Sequence, residues 1–223
     1  MKVIQHFPTH KELQLDGIDD AANLYPNIQG LRFNYVIRVG NTESNSDLST
    51  SEADRFFLKV IRSQSDLIVT TGATARTEDL KASKYAPLLL LTQQDELHCP
   101  ATQLQSEHKV FVTLREQRFE NENAEAIGST IEPLAAWLEN FMFKRSFQAV
   151  VVEAGLTVTK ELLAMALAEE FCLSVTGATD SDQATIFAKG FLEKLDLRPE
   201  LLQLLEVEQT FLFRFDLTKE NQR

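Results

Sequence analysis

Two short segments constrain this chain more than anything else in it. Each is an apolar run that passes into small and hydroxyl-bearing residues and then into helix-forming sequence: Asp66 to Glu78 (DLIVTTGATARTE) and Val150 to Thr159 (VVVEAGLTVT). A strand that ends in such a turn and feeds a helix is the repeating unit of an α/β fold. It leaves the first N–H groups of the helix facing outward, where they attract an anion. Two such turns in one chain point to a dinucleotide-type ligand rather than a single anion.

The rest of the chain follows the same alternation. Residues 32–39 (RFNYVIRV), rich in β-branched and aromatic side chains, read as a first strand. Phe56, Phe57, Val60 and Ile61 recur at helical spacing behind Ser51, a capping residue, and predict a helix over 52–64. Strands are expected at 66–70, 86–92, 109–114, 148–152 and 170–176, and helices at 74–78, 130–144, 157–168 and 183–195. The unbroken apolar run APLLLLT at 86–92 fits a strand buried on both faces. Residues 116–125 read as polar loop, and 204–215 as one long terminal strand region with alternating Phe211, Phe213 and Phe215. Residues 1–30 show little periodicity and read as an irregular arm with a short helix near Asp19–Leu24, ahead of a single domain over 31–223. Alternating strands and helices followed by strand-rich chain predict an α/β fold, with a mostly parallel central sheet, flanking helices and an antiparallel C-terminal edge.

Composition narrows the function classes. The 223 residues carry 33 acidic against 22 basic side chains, a net charge of −11, which argues against a nucleic-acid binder and against adhesion to anionic lipid. No apolar run approaches the roughly 20 residues of a membrane span. The two cysteines, Cys99 and Cys172, lack zinc spacing and read as small core residues. With no signal-peptide pattern at the N-terminus, the expectation is a cytoplasmic protein.

Each turn admits two readings. Gly72 permits close backbone approach to a ligand, and Thr74 can donate to a phosphate; alternatively, this is an ordinary glycine turn with a threonine cap. Glu153 stands at the carboxyl end of a strand, where open α/β sheets place ligands; alternatively, it is a surface carboxylate beside a tight turn. The chain has no GxGxxG fingerprint, Walker A loop or GxSxG elbow.

Taken together, the segments over 32–176 resemble the pyrimidine reductase family, the riboflavin-biosynthesis reductase domain with a dihydrofolate-reductase-like fold. The residues carrying the resemblance are Arg32–Val36, Leu48–Arg55, Ile61–Glu78, Val150–Leu163 and Ala168–Thr176. It implies NADPH bound between the two turns and hydride transfer to the ribose of a pyrimidine intermediate, as in 5-amino-6-(5-phosphoribosylamino)uracil reductase. It also implies a homodimer and no metal. By the same resemblance Ser49, Gly72, Thr74 and Glu78 contact the cofactor, Gly155, Leu156, Thr157, Val158 and Thr159 hold its pyrophosphate, and Glu153 and Arg62 face the substrate. Three stretches depart from the family pattern, one of them the missing Asp-Pro-x-Leu segment after the acidic residue. Arg38 to Asn41 (RVGN) replaces its Ser-Leu-Asp-Gly, and Ala154 replaces the first glycine of its Glu-Gly-Gly turn. These departures motivate a second expectation, a catalytically degenerate relative kept as a nucleotide-binding or assembly module. An α/β nucleotide- or flavin-binding protein of unrelated fold is the third, and strand order decides against or for it.

Overall fold

The computed structural model describes residues 1–40, 51–114, 117–128 and 133–218. They form two compact units, one from Met1–Ile61 with the chain from Ala166 onward, the other Arg62–Met165.

The second unit is the simpler. Strands β4 (Leu67–Thr71), β5 (Leu88–Leu91), β6 (Val110–Val112), β7 (Ala124–Ala126) and β8 (Ala149–Val152) lie in the order β8-β4-β5-β6-β7. Every pairing is parallel. The apolar run at 86–92 is indeed buried: all four leucines of β5 are inside. The stretch expected as polar loop at 116–125 overlaps the short strand β7 at its end, a three-residue edge that its own sequence does not signal. Helices α3 (Gly72–Thr77), α4 (Pro100–Gln103), α5 (Leu134–Arg145) and α6 (Leu156–Leu163) supply the crossovers. Asp66 ties the sheet at its base. Its carboxylate accepts hydrogen bonds from the N–H groups of Gln148 (2.8 Å) and Ala149 (3.1 Å), and so fixes β8 beside β4.

The first unit is mixed. Its strands are β1 (Lys2–Phe7), β2 (Lys11–Gln14), β3 (Gly30–Arg38), β9 (Ala168–Thr176), β10 (Glu200–Val207) and β11 (Thr210–Asp216), in the order β2-β1-β10-β11-β9-β3. Only β3 and β9 run parallel; the other neighbours are antiparallel. Helices α1 (Ile18–Ala22), α2 (Glu52–Ser63, whose last turn passes into the second unit) and α7 (Ser181–Lys194) complete it. α2 forms as its periodicity requires: Phe57, Val60 and Ile61 are buried, and the Asp54 N–H donates to the Ser51 hydroxyl at 3.3 Å. Phe33, Tyr35 and Phe171 of the sheet pack with Phe191 of α7, with neighbouring ring centroids 5.6–6.3 Å apart. Each such buried ring contributes on the order of 1.5–3 kcal/mol.

The antiparallel part is wider than the sequence suggests, for two reasons. The terminal strand region is a hairpin, β10–β11, that turns at Glu208 with φ 56° and without the glycine or asparagine such turns favour. The first fourteen residues, expected to be irregular, form the hairpin β1–β2, which pairs with β10. This hairpin covers the outer backbone edge of β10. It leaves β2, four residues long and mostly charged or polar, as the blunt outer strand.

A buried polar network crosses this sheet. Glu170 accepts from Arg32 Nε at 2.8 Å and from an Arg214 guanidinium nitrogen at 2.6 Å, and the Cys172 thiol donates to it at 3.2 Å. The two arginines also donate to the carbonyls of Pro26 and Leu24, both at 2.6 Å, and so pin the segment that follows α1. Tyr25 lies beneath both guanidinium groups, 5.9 and 5.0 Å from its ring centre. Burial pushes its hydroxyl pKa well up.

Candidate active site

Parallel pairing brings the two glycine-bearing turns together. β4 and β8 are neighbours with Val69 opposite Val152, so both turns leave the same, carboxyl-terminal end of adjacent strands. The Glu153 N–H donates to the Val69 carbonyl at 2.8 Å, and the Thr70 hydroxyl donates to the Glu153 carbonyl at 2.7 Å. Open parallel sheets bind ligands at this end, because the helix N-termini converge there.

The two turns differ in how open they are. At the first, the Thr71 hydroxyl accepts from the Thr74 N–H at 3.1 Å, and the two hydroxyls lie 3.0 Å apart. The start of α3 is therefore capped from within. Gly72 is buried, and a Cβ there would sit 2.9 Å from Thr92 Cβ and 3.1 Å from its hydroxyl. Its lack of a side chain is explained by close packing on the neighbouring strand's end, which sequence alone does not disclose.

At the second turn, α6 begins at Gly155 with no side-chain cap. Gly155 and Thr157 are exposed, Leu156 and Val158 half-buried, and a Cβ on Gly155 would meet nothing within 4 Å. The N–H groups of the first turn of α6 are thus presented to an open approach. Ala154 does not take positive φ, so its methyl group is accommodated without backbone strain. Thr159 is fully buried and its hydroxyl donates to the Ala154 carbonyl at 3.3 Å; it shapes the turn from the inside.

Beside this turn lies a charged cluster. Arg62 donates to both carboxylate oxygens of Glu153, from Nε at 2.8 Å and from a terminal nitrogen. The fork-to-fork geometry fixes both side chains. Burial works against the Arg62 charge, but Glu153, through its charge and hydrogen bonds, with smaller contributions from Glu78 and Tyr85, holds the guanidinium above its ordinary pKa. Arg62, Glu78, Tyr85 and Glu153 therefore form one electrostatic group. Tyr85, in the loop before β5, carries no motif and is not legible in the sequence. Ser49 lies outside the described residues. Among the described residues no group of three or more His, Cys, Asp or Glu could hold a metal ion. The α6 N-terminus suits the pyrophosphate of a dinucleotide in its donor set: backbone N–H groups, no competing side-chain cap, and a glycine at the point of approach.

No protein-family model and no curated protein sequence matches the chain. Solved structures do. A pyrimidine reductase-like protein from Corynebacterium diphtheriae superposes with a TM-score of 0.64 at 12% identity, covering 90% of this chain and 98% of that one. The diaminohydroxyphosphoribosylaminopyrimidine deaminase/5-amino-6-(5-phosphoribosylamino)uracil reductase of Thermotoga maritima gives 0.61 at 12% identity over 85% of this chain and 56% of that one. RibD of Acinetobacter baumannii gives 0.58 at 18% identity over 89% and 62%. The chain thus spans roughly three-fifths of the length of these last two. The fold is the dihydrofolate-reductase-like α/β fold, shared with the riboflavin-biosynthesis reductases. This removes the expectation of an unrelated α/β architecture.

Proposed function

We propose that the chain is an NADPH-dependent reductase acting on a pyrimidine-type substrate, by the reaction of 5-amino-6-(5-phosphoribosylamino)uracil reductase. The observation that carries this reading is the placement of the two turns at the same end of adjacent parallel strands, with Arg62 and Glu153 beside the open one. In this reading NADPH supplies the hydride. The N–H groups of Leu156, Thr157 and Val158 bind its pyrophosphate, and Gly155 lets the phosphate oxygens approach the backbone. The side chains at the first turn, Thr74 and Glu78, flank the cofactor. Glu153, held rigidly by Arg62, orients polar groups of the substrate so that donor and acceptor carbons meet at a fixed distance. The reading includes a cytoplasmic homodimer.

NADPH titration followed by cofactor fluorescence or calorimetry tests it, and absence of binding at millimolar NADPH would sink it. Thr157→Glu separates binding from folding. A carboxylate in the first turn of α6 favours the helix dipole, yet it repels a pyrophosphate at the same N–H groups. Cofactor affinity is expected to fall tenfold or more while thermal stability is kept or raised.

A second reading has its own support. Both Glu153 oxygens are already engaged by Arg62, so the carboxylate is satisfied without a substrate. On that reading the protein is a degenerate relative serving as a nucleotide-binding or assembly module. It binds NADPH without turnover. NADPH oxidation on addition of the pyrimidine intermediate would exclude it.

A further inference from the structure

The first unit contains a cleft that neither turn explains. It measures about 640 Å³ and lies between the C-terminal half of α7, the connection at 195–199 and the β10–β11 hairpin. That volume falls within the roughly 300–1,000 Å³ typical of small-molecule sites. Its floor is the pair Phe213 and Phe215, whose rings are parallel with centroids 5.8 Å apart. Leu192, Leu197 and Leu201 form its apolar walls. The cleft arises from the fold: α7 packs over β9 and β11, and the space opens between its C-terminal half and the β10–β11 hairpin. Leu201 pairs with Phe215 across the hairpin, and the two present their side chains on that one face.

The rim differs from the floor. Lys189 and Arg198 line the cleft yet remain exposed, and their side chains make no hydrogen bond or ion pair with any described residue. Glu193, also exposed, is the single acidic residue of the lining. In a chain with a net charge of −11, a cleft whose rim carries more positive than negative charge is a local inversion of the field. An apolar interior below two unpaired cations is complementary to a molecule with an apolar body and one anionic end.

We propose that this cleft binds an amphiphilic carboxylate of the fatty-acid class, with its chain over Phe213 and Phe215 and its head between Lys189 and Arg198. The site is independent of the cofactor reading: it uses no residue of either turn.

The test titrates the full chain with dodecanoate, and in parallel with dodecanol, by calorimetry at submillimolar ligand. One saturable site per chain is expected, with dodecanoate binding at least tenfold more tightly than dodecanol. Lys189→Glu with Arg198→Glu alters two exposed side chains and leaves the folded core untouched. It is expected to abolish the preference for the charged head while dodecanol binding changes little. Equal affinity for acid and alcohol in the native chain, or unchanged dodecanoate binding in the double variant, would overturn the proposal. So would sedimentation showing a dimer that this double variant dissociates, with no ligand uptake, since the cleft would then belong to a second copy of the chain.

Discussion

Replacing Glu170 by glutamine keeps the side-chain volume and removes the negative charge that joins two buried guanidinium groups. Glu170 accepts from Arg32 at 2.8 Å, from Arg214 at 2.6 Å and from the Cys172 thiol at 3.2 Å, and its side chain is only 3% exposed. Hydrogen bonds to a charged partner contribute about 1.5–3 kcal/mol each, so losing the charge on two of them costs about 3–6 kcal/mol. Breaking a buried ion pair by removing one partner costs about 3–5 kcal/mol, which agrees. With a slope of about 3 kcal/mol/M, as suits a chain of this size, urea unfolding followed by far-ultraviolet circular dichroism should therefore show a midpoint about 1–2 M lower. The acid limb provides an independent reading. Burial opposes the Glu170 charge, but the Arg214 hydrogen bond and the Arg32 and Arg214 charges prevail and hold the carboxyl below its ordinary pKa. A carboxyl lowered in the folded state stabilises fully above its unfolded pKa of about 4.3, and that stability is lost as pH falls through the lower folded value. Glu170→Gln should remove this share of the acid-side loss. A midpoint shift under about 0.5 M, or an unchanged acid limb, would refute the account of the network as a buried ion triad held by Glu170. Replacing Arg32, Glu170 and Arg214 together by Met, Leu and Met should recover much of the stability, because no uncompensated charge then remains inside.

Gly72→Ala should destabilise the second unit by about 1–3 kcal/mol, because the new methyl meets Thr92 Cβ at 2.9 Å; Trp137 fluorescence on α5 follows it. Asp66→Ala frees the N–H groups of Gln148 and Ala149 and should cost about 1–2 kcal/mol, with faster hydrogen exchange localised to the start of β8. Thr71→Ala removes the α3 cap and should lower stability by about 1 kcal/mol; if the site reading holds, NADPH affinity changes far less than in Thr157→Glu. Arg62→Met leaves the Glu153 carboxylate without its bidentate partner. In the reductase reading it should reduce kcat/KM for the pyrimidine much more than NADPH affinity, which steady-state kinetics and cofactor titration separate.

How much was legible depended on how local the cause was. β3, β4, β5, β8 and β9 and helices α2, α5 and α7 stand where periodicity and turn residues put them, within a few residues. The terminal hairpin resembles one strand in sequence because Val207 to Thr210 carries no glycine or asparagine, and Glu208 takes the left-handed conformation instead. The N-terminal hairpin escaped because β2 (KELQ) has no apolar face of its own and is held through pairing with β1. Arg32 and Arg214 lie 138 and 44 residues from Glu170 along the chain, and nothing short of the strand order brings them together.

The chain by itself determined the strand–turn–helix units and the two glycine-bearing turns, since side-chain period and turn chemistry act over a few neighbouring residues. Tertiary structure decided what those turns can do. Thr92, from the end of the neighbouring strand, explains Gly72 by packing. Arg62, 91 residues from Glu153 along the chain, decides how that carboxylate is held. The absence of a side-chain cap leaves the Gly155 turn open. The Thr92 and Arg62 contacts join groups remote in sequence, so their geometry exists only once the parallel strands are in register.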